Sequence, residues 1–270
     1  MESGAEGLPA IFSIISVILL GLCLGSFASA MSWRLPRGIS FVTERSQCPS
    51  CRATLGVVDL VPVFSWLFLG GKCRRCKAPI GWRYPLIELS TLLLCLLFLW
   101  RFHFSPALFP LLLLAPVIVS IIDIDLHHKI IPDGLNASVA LFGFMALALA
   151  AVDSGNPPAY LSDKGLIALA GALLYGLGSL ALRYGMMLAL KKDPLGLGDV
   201  KFFAAAGFWF GLSPDALAAF MLISGLMAVF LALLWRKVKK ELEFPFGPAL
   251  VLAFLLVLLV HPPEFLTVYF

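Results

Sequence analysis

The stretch ALFPLLLLAPVIVSIIDIDLHHKIIPD, residues 107–133, decides how the rest of the chain is read. Residues 107–124 are apolar apart from Ser120 and Asp123. Coiled as a helix at about 1.5 Å per residue, they reach about 27 Å, close to the hydrocarbon thickness of a bilayer, about 30 Å. The run then stops abruptly in Asp125, His127, His128 and Lys129, followed by Ile130, Ile131, Pro132 and Asp133. This is a membrane span ending at a polar face.

Outward from it lie seven more apolar runs, at roughly 9–31, 86–104, 135–152, 165–190, 200–212, 214–235 and 248–260. Hydrophobic residues make up 60% of the 270 and charged residues 13%, against about 45–50% and about 25% in soluble domains. The 36 charged residues are too few to cover a water-soluble globule of this size. That excludes a secreted enzyme, a disordered regulator and a cytosolic α/β domain. The expected fold is an all-α polytopic membrane protein with about eight transmembrane helices and one cytoplasmic zinc-ribbon-like loop. The first run is long and lacks a convincing cleavage site, so it reads as a retained span rather than a signal peptide.

Orientation follows from the cations, because short cytoplasmic loops collect Lys and Arg. With the N-terminus outside, the loops 32–85, 125–134, 191–199 and 236–247, with the margin at Lys201, hold 17 of the 20 Lys and Arg. Only Arg101 and Lys164 fall on the other side, and Arg183 lies within snorkelling distance of the inner interface. The run 200–212 would be only about 18 Å long as a helix. Dropping it as a span would put the cluster Arg236 to Lys240 outside, so parity favours keeping it.

Within the long loop, Cys48-Pro-Ser-Cys51 and Cys73-Arg-Arg-Cys76 form two C-x-x-C pairs. Their separation is close to that of a Cys₄ zinc site. A two-residue gap lets both thiolates of a pair face one tetrahedral ion. The loop carries too few apolar residues to fold around a core of its own, so a metal would supply folding free energy. Disulfides and redox thiols are the other readings; a basic loop on the reducing side argues against stable disulfides. Four thiolates leave no open coordination position, which makes the expected zinc structural. Cys23 and Cys95 lie in spans and read as packing residues.

Ionisable groups near a bilayer point to function. Asp123 and Asp125 close the span quoted above, and Gly196-Leu197-Gly198-Asp199-Val200-Lys201 opens the run at 200–212. In this topology the two sets of carboxylates share one membrane face, as an acid/base pair requires. One ionised carboxylate takes a proton from water while the other, holding a proton, polarises an amide carbonyl. Gly196 and Gly198 would let backbone approach substrate or a neighbouring helix. Each residue also has a plain structural role open to it. Asp133 reads as a helix N-cap, Asp199 alone would read the same way, Asp123 as an interfacial charge, and His127 and His128 as interfacial side chains.

Taken together, these residues resemble the bacterial type IV prepilin peptidases, bifunctional leader peptidase/N-methyltransferases among the GxGD membrane aspartyl proteases. Gly25-Ser26-Phe27 through Arg34-Leu35-Pro36 is similar to that family's opening motif, and Cys48 to Cys76 to its cysteine pairs. Tyr84-Pro85-Leu86-Ile87-Glu88 resembles its entry to the second span. Asp125 to Pro132-Asp133, Gly196 to Lys201, and Pro245-Phe246-Gly247-Pro248 are similar to its peptidase motifs. The resemblance implies Asp125 and Asp199 as the catalytic pair, since Asp125 lies seven residues before Pro132 and Asp123 is two residues too early. Gly196, Gly198, Lys201 and Pro132 would support them, with an interfacial lysine the other reading of Lys201. It further implies cleavage of prepilin and pseudopilin leaders after a glycine at the cytoplasmic face of the bacterial inner membrane, followed by N-methylation from S-adenosylmethionine. Gly25 and Glu88 are the candidates for that cofactor. His127 and the stretch Ala28 to Ser32 depart from the commoner family pattern. The implied division is 1–105, with the Cys₄ loop and methyl transfer, and 106–270, the peptidase core. The partners are the precursors and membrane lipid, with no nucleic acid. A zinc-loop assembly factor without enzymatic activity and a proton-coupled transporter are the rivals.

Overall fold

The computed structural model describes residues 7–40, 43–191, 195–241 and 243–268. Lys192, one of the basic loop residues counted above, lies outside them. Among the described residues every named element is helical, and the only β pairing is two isolated antiparallel bridges, Gln47 with Thr54 and Lys72 with Pro79. The helices are α1 (Gly7–Arg34), α2 (Phe64–Phe68), α3 (Arg83–Phe102), α4 (Leu108–His128), α5 (Asp133–Asp153), α6 (Pro157–Leu190), α7 (Leu197–Phe210), α8 (Pro214–Lys239), α9 (Gly247–Val260) and α10 (Glu264–Thr267). Six of them, α1, α3, α4, α5, α6 and α8, are long and apolar enough to cross a membrane. The protein is an all-α, multi-pass membrane protein. The runs expected at 200–212 and 248–260 form α7 and α9, of 14 residues each. At about 21 Å both are shorter than the other six. Yet α9 runs from Gly247 beside Asp125 to the turn before Glu264, which pairs with Lys164 of the opposite loop, and Lys129 pairs with Glu241 after α8. The ends of these helices therefore keep the sides the sequence assigned.

The chain forms two compact units, Met1–Phe104 with Leu111–Asp123, and Ser105–Pro110 with Ile124–Phe270. In the first, α1 packs along α3. Gly25 is what permits it: a Cβ there would lie 2.7 Å from the Glu88 carbonyl oxygen and 2.8 Å from its Cα. Ser120 of α4 donates to the Ala28 carbonyl at 3.2 Å, a contact inside apolar surroundings. Arg34, buried at the end of α1, turns its guanidinium back onto the loop and donates to the carbonyls of Ser40 and Glu44 and to the Ser46 hydroxyl. With no fewer than three acceptors, the buried cation is satisfied.

In the second unit α7 is central, packing against α5, α6, α8 and α9. A surrounded helix needs no polar face, and its buried side includes Phe202, Phe203, Phe208, Trp209 and Phe210. The Trp209 indole donates to the Val139 carbonyl at 2.9 Å. Phe254 of α9 stacks edge-on or tilted against Phe202, Trp209 and Phe210, with centroids 5.5–6.0 Å apart; such pairs add about 0.5–1.5 kcal/mol each beyond area burial. Gly171 of α6 meets the backbone of Gly207 so closely that a Cβ has no room. Small residues at this seam let the two backbones approach as membrane helices do. The packing fixes the N-terminus of α7, where Asp199 sits.

Candidate active site and cysteine centre

Asp123 and Asp125 are two residues apart on α4 but have different surroundings. Arg83, the first residue of α3, grips Asp123 with both Nε and Nη2, at 2.6–3.1 Å. A bidentate pair of this kind is committed to structure. Asp125 belongs to the second unit and is 4% exposed. One of its oxygens, Oδ2, accepts from the backbone N–H of Gly247 at 2.7 Å. That glycine opens α9 between Pro245-Phe246 and Pro248, and a Cβ there would meet Oδ2 at 2.8 Å.

Asp199 is the third residue of α7, and its Oδ2 accepts from the Gly196 N–H at 3.1 Å across the first turn. It therefore caps the helix from within rather than standing at the N-cap, a place taken by Gly196 in extended backbone. The charge of Asp125 acts on Asp199, so the two carboxylates are within electrostatic reach. Gly198 sits against Ile131, where a Cβ would lie 3.0 Å from the carbonyl oxygen. Pro132 is the N-cap of α5, with its carbonyl accepting from Leu135 and Asn136 at 3.0 and 3.3 Å. Asp133 is thus the first helical residue, not the cap, and its carboxylate pairs with Lys201 at 2.6 Å on the exposed surface.

Asn136, not singled out in the sequence, holds the site together. It is 4% exposed, and its Nδ2 donates to the Gly198 carbonyl at 3.0 Å, tying α5 to the first turn of α7. Among the described residues its buried Oδ1 has no hydrogen-bond partner. The signal available was an amide inside an apolar run, which is costly unless it has a task. Gly247 was marked only as part of the Pro245–Pro248 motif; that its N–H bonds Asp125 had no signal, since a main-chain donor is the same in every sequence.

The four loop cysteines converge in the first unit, with their Sγ atoms all within 4.8 Å of one another. Cys48 and Cys76 approach to 3.8 Å, which is about the S···S separation that four bonds of about 2.3 Å to a tetrahedral zinc would give. The two pairs are built alike. Cys48 N–H donates to Ala53 O and Arg52 N–H to Cys48 O; Cys73 N–H donates to Ala78 O and Lys77 N–H to Cys73 O, all at 2.8–3.0 Å. Arg52 and Lys77, the residues following each second cysteine, share a positive φ of 55° and 59°. The Cys51 N–H, assisted by that of Ser50 and opposed by burial, lowers the Cys48 thiol to about 6. The donor set fits one metal ion.

Gly25 and Glu88, the two candidates for binding a methyl donor, are brought together at the α1–α3 seam. Glu88 is 9% exposed and accepts from the Val63 N–H at 2.7 Å. It lines a cavity of about 630 Å³ between the end of α1, the start of α3 and the cysteine loop, with Trp33, Arg34, Trp66 and Tyr84 also in the wall.

Known proteins resemble the chain along most of its length. The Bacterial Peptidase A24 N-terminal domain matches residues 19–102, and the Type IV leader peptidase family matches residues 111–233. The chain is 32% identical over 262 residues to a type 4 prepilin-like proteins leader peptide-processing enzyme of Escherichia coli O78:H11, covering 90% of this chain and 92% of the relative. It is 31% identical to a prepilin leader peptidase/N-methyltransferase of Aeromonas hydrophila (92% and 91% covered) and 32% identical to one of Bacillus subtilis (87% and 89%). No solved structure matches it. With two adjoining domain matches and relatives aligned over nearly their whole lengths, the chain belongs to the type IV leader peptidase family.

Proposed function

We propose that the protein is an aspartyl endopeptidase that removes the leader of type IV prepilin and pseudopilin precursors, cutting after a glycine at the cytoplasmic face of the bacterial inner membrane, and then N-methylates the new terminus. The observation that carries the peptidase is the pairing of Asp125 and Asp199 within electrostatic reach, each held by the N–H of a motif glycine. Two carboxylates so placed share a proton. The ionised one takes a proton from water, the other donates a hydrogen bond to the scissile carbonyl, and the attack is general acid–base catalysed. The substrate is itself a membrane helix with a cytoplasmic leader, so a site at the end of α4 and the start of α7 meets the peptide bond where it leaves the bilayer.

The cysteine centre is read as a structural zinc site, closed by four thiolates and held by Cys48, Cys51, Cys73 and Cys76. S-adenosylmethionine fits the neighbouring cavity in size and chemistry: about 630 Å³ is within the range of small-molecule sites, with aromatic walls, an arginine and a buried carboxylate in Glu88. When bound it supplies an electrophilic methyl group on a sulfonium. The protein's part is to hold the released amine in line with that methyl. Residues 1–105 would thus carry methyl transfer and 106–270 peptide cleavage.

The test is a purified precursor assayed by intact mass. Asp125→Asn and Asp199→Asn should each lower cleavage by about 100- to 10,000-fold or more, with membrane insertion and metal content kept. Full cleavage by either variant would sink the aspartyl mechanism. No cleavage by the wild-type protein would instead return the assembly-factor or transporter reading.

A further inference from the structure

Between the two cysteine pairs runs GVVDLVPVFSWLFLGG, residues 56–71. The loop is too poor in apolar residues to fold around a core of its own, and this run, where many of them sit, stays outside: Val57, Val58, Phe64, Leu67 and Phe68 all face outward, Val57 84% and Phe68 86% exposed. Its single charge, Asp59, is neutralised by Arg74 at 2.7 Å, and the guanidinium keeps the carboxyl below the usual carboxylate range. Among the described residues the segment is therefore an exposed, uncharged apolar surface.

One hydrogen bond ties the segment to a membrane helix. Val63 N–H donates to Glu88, five residues into α3 from Arg83, or about 7.5 Å along the helix axis. The contact is made with Val63 at φ +60°, a conformation β-branched residues rarely adopt, so the segment is pinned there rather than draped. α3 spans the membrane and its apolar run begins at 86, so the tie at Glu88 holds the segment beside the start of that span, where interfacial segments lie. Two tryptophans, one in the segment and one at the start of α3, lie together. Trp66 and Trp82 stack at 4.2 Å, with the Trp66 indole donating to the Ile80 carbonyl and Trp82 largely exposed. Tryptophan favours this boundary because its ring is apolar and its N–H is not. On either side, Arg52, Lys72, Arg75 and Lys77 project from the cysteine turns as exposed cations, the charge that anionic headgroups attract.

We propose that residues 57–69 are a monotopic membrane insert, lying in the headgroup–acyl boundary of the leaflet on the loop's side with anionic phospholipid as its partner. The insert holds the cysteine centre and the adjoining cavity against the membrane surface. The test uses the full-length protein in vesicles of phosphatidylcholine and phosphatidylglycerol, with the photoreactive benzoylphenylalanine replacing Phe68 or Val58, and Ser50 in the first cysteine turn as the comparison site. After irradiation, intact mass should show several-fold more phospholipid adduct at 68 and 58 than at 50. The yield should fall several-fold in vesicles of phosphatidylcholine alone. Equal adduct at all three sites would overturn the insert, as would adducts at 68 and 58 that form only with a co-reconstituted pilin precursor and mark a substrate-docking surface instead. An adduct yield indifferent to phosphatidylglycerol would overturn the anionic partner.

Discussion

Asp123 and Asp125 show how much two positions on one helix can differ. Asp123→Asn should leave cleavage near wild type but strip Arg83 of its carboxylate partner. Thermal unfolding should report a loss of roughly 1–3 kcal/mol, the scale of charge-assisted hydrogen bonds, while the pilin assay stays flat. Asn136→Leu should do the reverse, since the amide positions the Gly198 carbonyl and removing it lets Asp199 drift. Cleavage should fall by about 10- to 100-fold, chiefly in kcat, with KM little changed. A KM effect of equal size would mean that Asn136 serves binding. Only the family resemblance, through the distance to Pro132, favoured Asp125 over Asp123, and the sequence carried nothing of Arg83 as a partner, because the contact joins residues 40 apart. Asn136 stood in plain view as a polar residue in a span, but its acceptor, 62 residues on, comes only with the packing of α5 on α7.

Among the elements, the long helices were legible because each has a run of apolar residues matched to the bilayer, and their boundaries follow the charges that end those runs. The two short helices, α7 and α9, were legible as the apolar runs at 200–212 and 248–260, but their enclosure was not, because the packing of α5 and α6 around α7 joins residues far apart in sequence. The α1–α3 seam gives the prediction at this scale. Gly25→Val would drive a branched side chain into the Glu88 backbone, forcing the two helices apart and deforming the adjoining cavity. Methylation of a cleaved pilin should fall well below cleavage of the same pilin, and Glu88→Gln, which keeps the shape, should reproduce the imbalance without loss of thermal stability. Matched losses of both activities would remove the division of labour between the two regions.

For the whole molecule the division into two units sets the expectation for metal removal. The cysteine centre and the Asp125–Asp199 pair are in different units. Replacing Cys48 and Cys51 with Ser should therefore release one bound zinc by elemental analysis, loosen the loop to proteolysis and abolish methyl transfer, while cleavage persists at a reduced level. Cleavage lost in strict proportion to metal would show that the ion is needed for both reactions. A survey of every single substitution along the chain would record these hydrogen bonds unevenly. The grip on Asp125 comes from the main chain of Gly247, which no side-chain deletion can reach. Alanine there fails by bulk and proline by the lost donor, so the position would score as intolerant for two unrelated reasons. Ranked by mutational sensitivity alone, Gly247 would pass for a catalytic residue, although its own side chain has no atom to offer the reaction.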